Sequence, residues 1–378
     1  MATGIISTLL YVFPYGRDSL GMMTASLVFF FINLAIFSIF TAFVLSKYIL
    51  QPDRWKAHIA NPGRALFFGT FPMGVCTLLN VAVDVIHTYF RYGGKRFLYF
   101  LWGMWWVVVI LGCACCWVGV HAMSTRQKHS LETMAATWVL PVTTLTVVSS
   151  SGGILATALR HHSMYHALLT TVVSVFLVTI GLSLGLMILT VYLARLIIYG
   201  LPPGASIISV FLPLGTTGQS GYALTHIGTN FKEILPYGCP GTSPFLGGRN
   251  TGQVLEVVCL GTAFVLWSLA TMWMIFALLA LKNTILGNYV PFHISFWGLV
   301  FPNGVYANLT IALGVAFDSN AFKIYGAVYA VWVLLIWMCV SVRSMLALKE
   351  IVWSSGGQGE NVEDGPSLVP SVKSTESG

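Results

Sequence analysis

The side chains in this chain most able to act together are an aromatic and the proline after it. Phe301-Pro302 falls inside the apolar stretch 293–310, His-Ile-Ser-Phe-Trp-Gly-Leu-Val-Phe-Pro-Asn-Gly-Val-Tyr-Ala-Asn-Leu-Thr. Proline has no N–H, so the carbonyl of Gly298 one turn back loses its partner and the ring crowds it. Gly298 and Gly304 flank this break and leave room for a second backbone or a narrow channel, and Asn303 adds a carboxamide. In lipid, an interrupted helix is tolerated only where protein or a water-filled cavity faces it. The chemistry implied is passage of a solute, with Phe301 as a plug in the wall. A residue before proline is biased away from helical backbone, which would turn the Phe301 ring across the path. Taken alone, the segment reads more readily as a kinked packing helix.

Ionisable groups are few. Asp84 and His87 stand at i, i+3 near the end of one apolar segment, and Glu256 opens another. An ionisable residue in a membrane is a functional candidate, here for coupled proton movement, although near a helix end it also reaches water. Six of the seven cysteines (Cys76, Cys113, Cys115, Cys116, Cys259, Cys339) lie in apolar segments as small buried hydrophobes, and Cys239 lies in a loop. They imply neither a disulfide framework nor a metal site. A haem-bearing oxidoreductase needs paired histidines deep in facing helices. Most of the nine histidines sit at segment ends or in loops, so neither an enzyme nor a cofactor is expected.

The elements that must carry these residues follow from composition. Of 378 residues, 56% are hydrophobic and 8% charged, where a soluble domain carries roughly 25% charged. The net charge of +7 is spread over short connections, without the basic run that nucleic acid requires. The fold class is all-α integral membrane, with ten transmembrane segments: 1–14, 20–50, 65–90, 97–123, 132–159, 163–199, 201–231, 251–281, 289–316 and 321–349. The first is short and reads as the second half of a helix. A transmembrane domain over 1–350 is followed by a polar tail, 351–378, too poor in apolar residues to pack a core.

The odd segments are broken, at Gly4, Pro72, Pro141, Pro213 and Pro302, and the even ones have unbroken interiors. The breaks recur at intervals of 68, 69, 72 and 89 residues, about one helical hairpin each. Five hairpins suggest a ring, with smooth even helices facing lipid and kinked odd helices around a central pore. Its lining would be Thr70, Gly74, Thr77, Thr143, Thr144, Thr146, Ser149 to Ser151, Gly215, Thr216, Thr217, Ser220, Asn303 and Asn308. Hydroxyl and amide groups can solvate an anion weakly enough to release it. Asn308-Leu309-Thr310 matches a glycosylation sequon, but inside a span it should go unused. With the N-terminus inside, short connections and tail place eleven Lys and Arg on the inner side and eight outside, which favours cytoplasmic termini.

Three motifs together resemble the tellurite-resistance/dicarboxylate transporter family, which includes slow anion channels: Gly69-Thr70-Phe71-Pro72-Met73-Gly74, Pro213-Leu214-Gly215 with Gln219 to Ala223, and Phe296-Trp297-Gly298 before Phe301-Pro302. Within the family the chain most resembles the fungal sulfite efflux pumps. The resemblance covers nearly all of 1–350. It implies five hairpins, a pore lined by the odd helices, a phenylalanine gate on the ninth and a homotrimer in membrane lipid. Carried over, the gate falls on Phe301, with Phe71 a possible second ring. It also implies a first helix that begins before Met1. The function implied is export of sulfite or bisulfite across a fungal plasma membrane. A general small-anion channel or a malate/dicarboxylate permease is the alternative, the permease wanting a more basic pore. Asp84 and His87 are not part of the family pattern.

Overall fold

The structure, a computed structural model, describes residues 1–16, 19–51, 53, 58, 61–238, 243–287 and 292–357. Cys239 and the tail beyond Gly357 lie outside the described residues. The chain divides into two units, Met1–Trp337 and Met338–Gly378. The contacts below all belong to the first; the second is described to Gly357, as the last turns of a helix.

Among the described residues every regular element is helical. Apart from the single turns Pro62–Ala65 and Pro244–Gly247 and the 3-10 stretch Gly204–Phe211, these are in chain order α1 Ala2–Val12, α2 Leu20–Leu50, α3 Leu66–Tyr89, α4 Gly94–Thr125, α5 Ala136–Leu159, α6 Met164–Tyr199, α7 Leu212–Ile234, α8 Thr251–Gly287, α9 Ile294–Ala316 and α10 Asn320–Gly357. Eight of the ten are long and apolar enough to cross a membrane, which takes about 20 residues. The exceptions are α1, which is 11 residues long, and α7, whose Gly-Thr-Thr-Gly-Gln-Ser-Gly run lowers its hydropathy.

The even helices are uninterrupted α-helices of 31 to 38 residues. Four odd helices share another device. α3, α5 and α9 open with the 3-10 turns Leu66–Gly69, Ala136–Val139 and Ile294–Leu299, and α7 follows the 3-10 stretch Gly204–Phe211. Pro72, Pro141, Pro213 and Pro302 then sit second or third in the α-helical part. First-turn N–H groups have no intrahelical acceptor, so a missing one costs little there. The breaks are therefore changes of pitch near the start of each helix, not kinks at its middle. The backbone stays right-handed through the change, with Leu299 at φ −73°, ψ −37° and Val300 at φ −69°, ψ −51°. Phe301 is itself helical. This corrects the expectation of a non-helical Phe301, because a proline in the first α-turn displaces no hydrogen bond that would force its neighbour out. α3 ends differently, in the π-helical turn Ala82–Tyr89.

The odd helices close on one another. α1 touches α3, α3 touches α5, α5 touches α7, α7 touches α9, and α9 returns to α1. Outside them α2 lies on α1 and α3, α4 on α3 and α5, α6 on α5 and α7, and α8 on α7 and α9. α10 packs where Gly314 of α9 meets Phe322 and where Trp337 Nε1 donates to Thr3 Oγ1 of α1 at 3.3 Å. The most apolar window of α5 is wholly buried, whereas that of α2 is 11% buried; the outer helices keep an apolar face for lipid. Arg195, counted from sequence among the connection charges, is instead buried near the end of α6. Its Nη2 donates to Glu132 O at 2.9 Å and its Nη1 to Gly200 O. It ties the α4–α5 connection to the α6–α7 connection.

Candidate functional site

Several of the small and hydroxyl residues singled out from the sequence lie in the seams between odd helices. Between α1 and α3, a Cβ on Gly4 would stand 2.5 Å from Thr77 Oγ1, which accepts from Asn33 Nδ2 at 3.3 Å. Between α3 and α5, Thr144 Oγ1 reaches Leu140 O at 3.0 Å and Gly69 O at 3.2 Å. Between α5 and α7, Thr143 and Thr216 hydroxyls are 2.8 Å apart, Gln219 Nε2 donates to Ser150 Oγ, and Asn230 Nδ2 donates to Gly153 O at 2.7 Å. Between α7 and α9, a Cβ on Gly215 would meet Pro302 Cβ at 3.2 Å and one on Gly221 would meet Leu309 at 2.7 Å. Between α9 and α1, a Cβ on Gly304 would meet Ile5 Cγ1 at 2.5 Å. Small residues let membrane helices approach closely, and hydroxyls bond across the contact. Paired positions rise together along each seam, 143 with 216 and 153 with 230, 215 with 302 and 221 with 309, so these helices run parallel.

Other sequence candidates are satisfied locally. Thr70 Oγ1 donates to Phe67 O at 2.7 Å. Asn303 Nδ2 donates to Leu299 O at 2.7 Å, and its Oδ1 accepts from Tyr329 of α10 at 2.5 Å. A Cβ on Gly298 would lie 3.6 Å from Ile208, an ordinary contact. A Cβ on Gly74 would lie 2.9 Å from the Phe37 ring of α2. Phe71 stacks on that ring, centroids 5.4 Å apart, and is 43% exposed. It therefore stands on the α2 side of α3, away from the residues that meet α5.

What remains, once every seam is assigned, is a sector of each odd helix turned toward the others. Side chains advance by about 100° per residue. On α9, Pro302 and Leu309 meet α7, Tyr306 and Thr310 bond to Thr271 and Trp267 of α8, Asn303 meets α10, and Gly304 meets α1. The sector left over holds Phe301, Asn308 and Ala312. Phe301 is half-buried and packs against two apolar clusters, one built from α1, α9 and α10 and one built mostly from α3, α4 and α5. On α3 the same elimination leaves Met73 and Asn80, and on α5 it leaves Leu140, Val147 and Ile154. Met73, Asn80, Leu140, Val147 and Ile154 are all buried, and all but Asn80 are apolar.

Asp84 and His87 lie in the π-helical turn at the far end of α3 from Phe71. The His87 ring centroid is 6.2 Å from that of His162. Among the described residues no group of three His, Cys, Asp or Glu side chains is placed to hold a metal. Two residues of this region went unnoticed in the sequence. Asn80 has a recognisable signal, since it repeats Met73 at i+7 and so shares its face. Tyr329, which fixes Asn303, has none.

The family model described as SLAC1, voltage-dependent anion channel, matches residues 1–345. A protein of Trichophyton rubrum named sulfite efflux pump SSU1 is 33% identical over 90% of this chain and 86% of its own length. A protein of the same name from Candida albicans is 28% identical over 87% of this chain and 68% of its own. The malic acid transport protein of Schizosaccharomyces pombe is 23% identical over 90% of this chain and 76% of its own.

Proposed function

The chain belongs to the SLAC1 family of voltage-dependent anion channels, and on that premise we propose that it exports sulfite or bisulfite along the path walled by α1, α3, α5, α7 and α9. The observation that carries the substrate is the 33% identity, over 90% of the chain, to a protein named for sulfite efflux. The malate reading is weaker on two counts. The relative named for malic acid is 23% identical, and the inward sectors of α3, α5 and α9 carry no Lys or Arg to hold two carboxylates.

In this reading the ten helices form five hairpins crossing the plasma membrane, the termini are cytoplasmic, and three copies assemble with one path each. Phe301 is the gate. Phe71 belongs to the packing of α2 on α3, where its ring already has a partner in Phe37. Expressed in cells lacking their own sulfite exporter, the chain is expected to lower internal sulfite and restore growth on sulfite while leaving malate uptake unchanged. Malate uptake without sulfite tolerance would reverse the assignment.

Export needs no coupled proton. A cytoplasm-negative potential drives a monoanion outward by about 2.3 kcal/mol per 100 mV, and about 1.4 kcal/mol is a tenfold concentration ratio. Asp84 and His87, in the π-helical turn at the end of α3, then have no step to perform. Asp84→Asn and His87→Ala are each expected to keep flux within about twofold of the parent at fixed potential. Loss of flux in either, with a dependence on the proton gradient at zero potential, would establish coupling.

A further inference from the structure

Inside a membrane protein every buried polar side chain must find a partner or water, and the inner helices meet this rule almost throughout. Ser7 bonds to Ser26, Asn33 to Thr77, Thr143 to Thr216, Gln219 to Ser150, Asn230 to Gly153, and Asn303 to Tyr329. Two carboxamides stand outside this network. Asn80 Oδ1 and Asn308 Oδ1 are buried without a hydrogen-bond partner, in side chains exposed by only 9% and 2%. They lie in the inward sectors of α3 and α9 among the apolar Met73, Phe301 and Ala312, and Asp84, four residues beyond Asn80, follows on the same face at the end of α3.

Their depths agree. Gly4 of α1 sits against Thr77, and the next residue, Ile5, sits against Gly304, so α1 sets Thr77 and Gly304 at one level. Asn80 lies three residues beyond Thr77 and Asn308 four beyond Gly304 on helices running the same way. The two amides thus fall within about one turn of each other across the path, with Asn308 about 10 Å beyond the Phe301 plug on the same helix face.

We propose that Asn80 and Asn308 form the selectivity site of the path, holding a protonated oxyanion, bisulfite, just past the gate. This rests on the export reading above. A carboxamide offers one acceptor oxygen and an NH2 donor group. Bisulfite offers the complement, an O–H to donate and further oxygens that accept. One of the two unpaired amide oxygens accepts a hydrogen bond from the anion's single O–H as it passes, and the NH2 groups of both donate to its other oxygens, without any fixed positive charge to trap it. Chloride and nitrate carry no O–H, so they leave the carboxamide oxygens unpaired; the doubly charged sulfite ion leaves them unpaired too. A site that leaves a buried polar group unpaired discriminates against the ligand lacking its partner.

The test is anion flux in liposomes holding purified protein, with bisulfite and chloride measured on the same preparation, for the parent, Asn80→Leu, Asn308→Leu and the double variant. Leucine is close to asparagine in size and removes an unpaired polar atom, so the melting temperature is expected to hold or rise. The bisulfite-to-chloride flux ratio is expected to fall at least tenfold in each single variant. Asn308→Gln, which keeps the amide, is expected to retain part of the ratio. A ratio within twofold of the parent in both leucine variants overturns the proposal. So does a marked fall in melting temperature with the ratio intact, which would make the amides structural. If one variant does not accumulate, the other decides. Absence of bisulfite flux in the parent would instead sink the export reading itself.

Discussion

Phe301→Ala is expected to raise anion flux several-fold or more and to loosen selectivity among anions. In the reading above the ring stands in the inward sector of α9, and it packs on two apolar clusters, one from α1, α9 and α10 and one mostly from α3, α4 and α5. Alanine leaves a gap there that water can enter, which lowers the cost for an anion passing a stretch otherwise lined by Met73, Leu140 and Val147. The competing outcome follows from treating Phe301 as a core residue. Then truncation costs about 3–5 kcal/mol, which lowers the melting temperature by roughly ten degrees and gives no gain in flux. Flux and melting measured on one preparation separate the two. Phe71→Ala is the matched control. That ring is 43% exposed against α2, so its loss is expected to leave flux near the parent's.

Gly69→Val is expected to lose most of the folded protein. An added Cβ would stand 2.5 Å from Thr144 Oγ1, 3.1 Å from Leu140 O and 3.5 Å from Pro141 Cα. Two of those neighbours are backbone of α5, itself packed by α3, α4, α6 and α7, so the seam must open. Overpacking costs about 1–3 kcal/mol, and the Thr144 bond to Gly69 O adds about 1 kcal/mol when broken. Against a stability of about 5–15 kcal/mol, that is a large fraction. The readout is the yield and melting temperature of detergent-extracted protein, with Gly103→Ala as control. Nothing lies within 4 Å of a Cβ at Gly103, and alanine favours a helix by about 1 kcal/mol over glycine. A Gly69→Val protein as stable as the parent would show that the α3–α5 seam is not closed as described.

Alternation of smooth and interrupted helices was legible from α3 onward because proline acts through the backbone, whereas the break expected at Gly4 is absent: α1 runs unbroken through it, since a glycine keeps its N–H and can stay helical. The place of each interruption was not legible. A 3-10 turn leaves no mark in the side-chain pattern, so Pro141 and Pro302 read as mid-helix kinks when each sits in a first α-turn. The orientation of each helix was hidden for a different reason. Phe71-Pro72 and Phe301-Pro302 are the same local motif, each with a glycine two residues on. Gly74 meets Phe37 of the outer α2, while Gly304 meets Ile5 of the inner α1. The two helices are therefore rotated differently, and one phenylalanine points out where the other points in. Most of the hydroxyl residues expected to line the path are buried, but Thr143, Thr144 and Ser150 are spent on neighbouring helices. Only a partner-by-partner accounting reveals that Asn80 and Asn308 are not.

The measurement closest to the central claim is bisulfite flux from sealed liposomes holding the purified chain, at an imposed potential and with no pH gradient. Flux is predicted to begin when the potential is set negative on the bisulfite side, to reverse with its sign, and to exceed malate flux under the same drive. No movement of bisulfite at any potential, or movement of malate alone, would contradict the account.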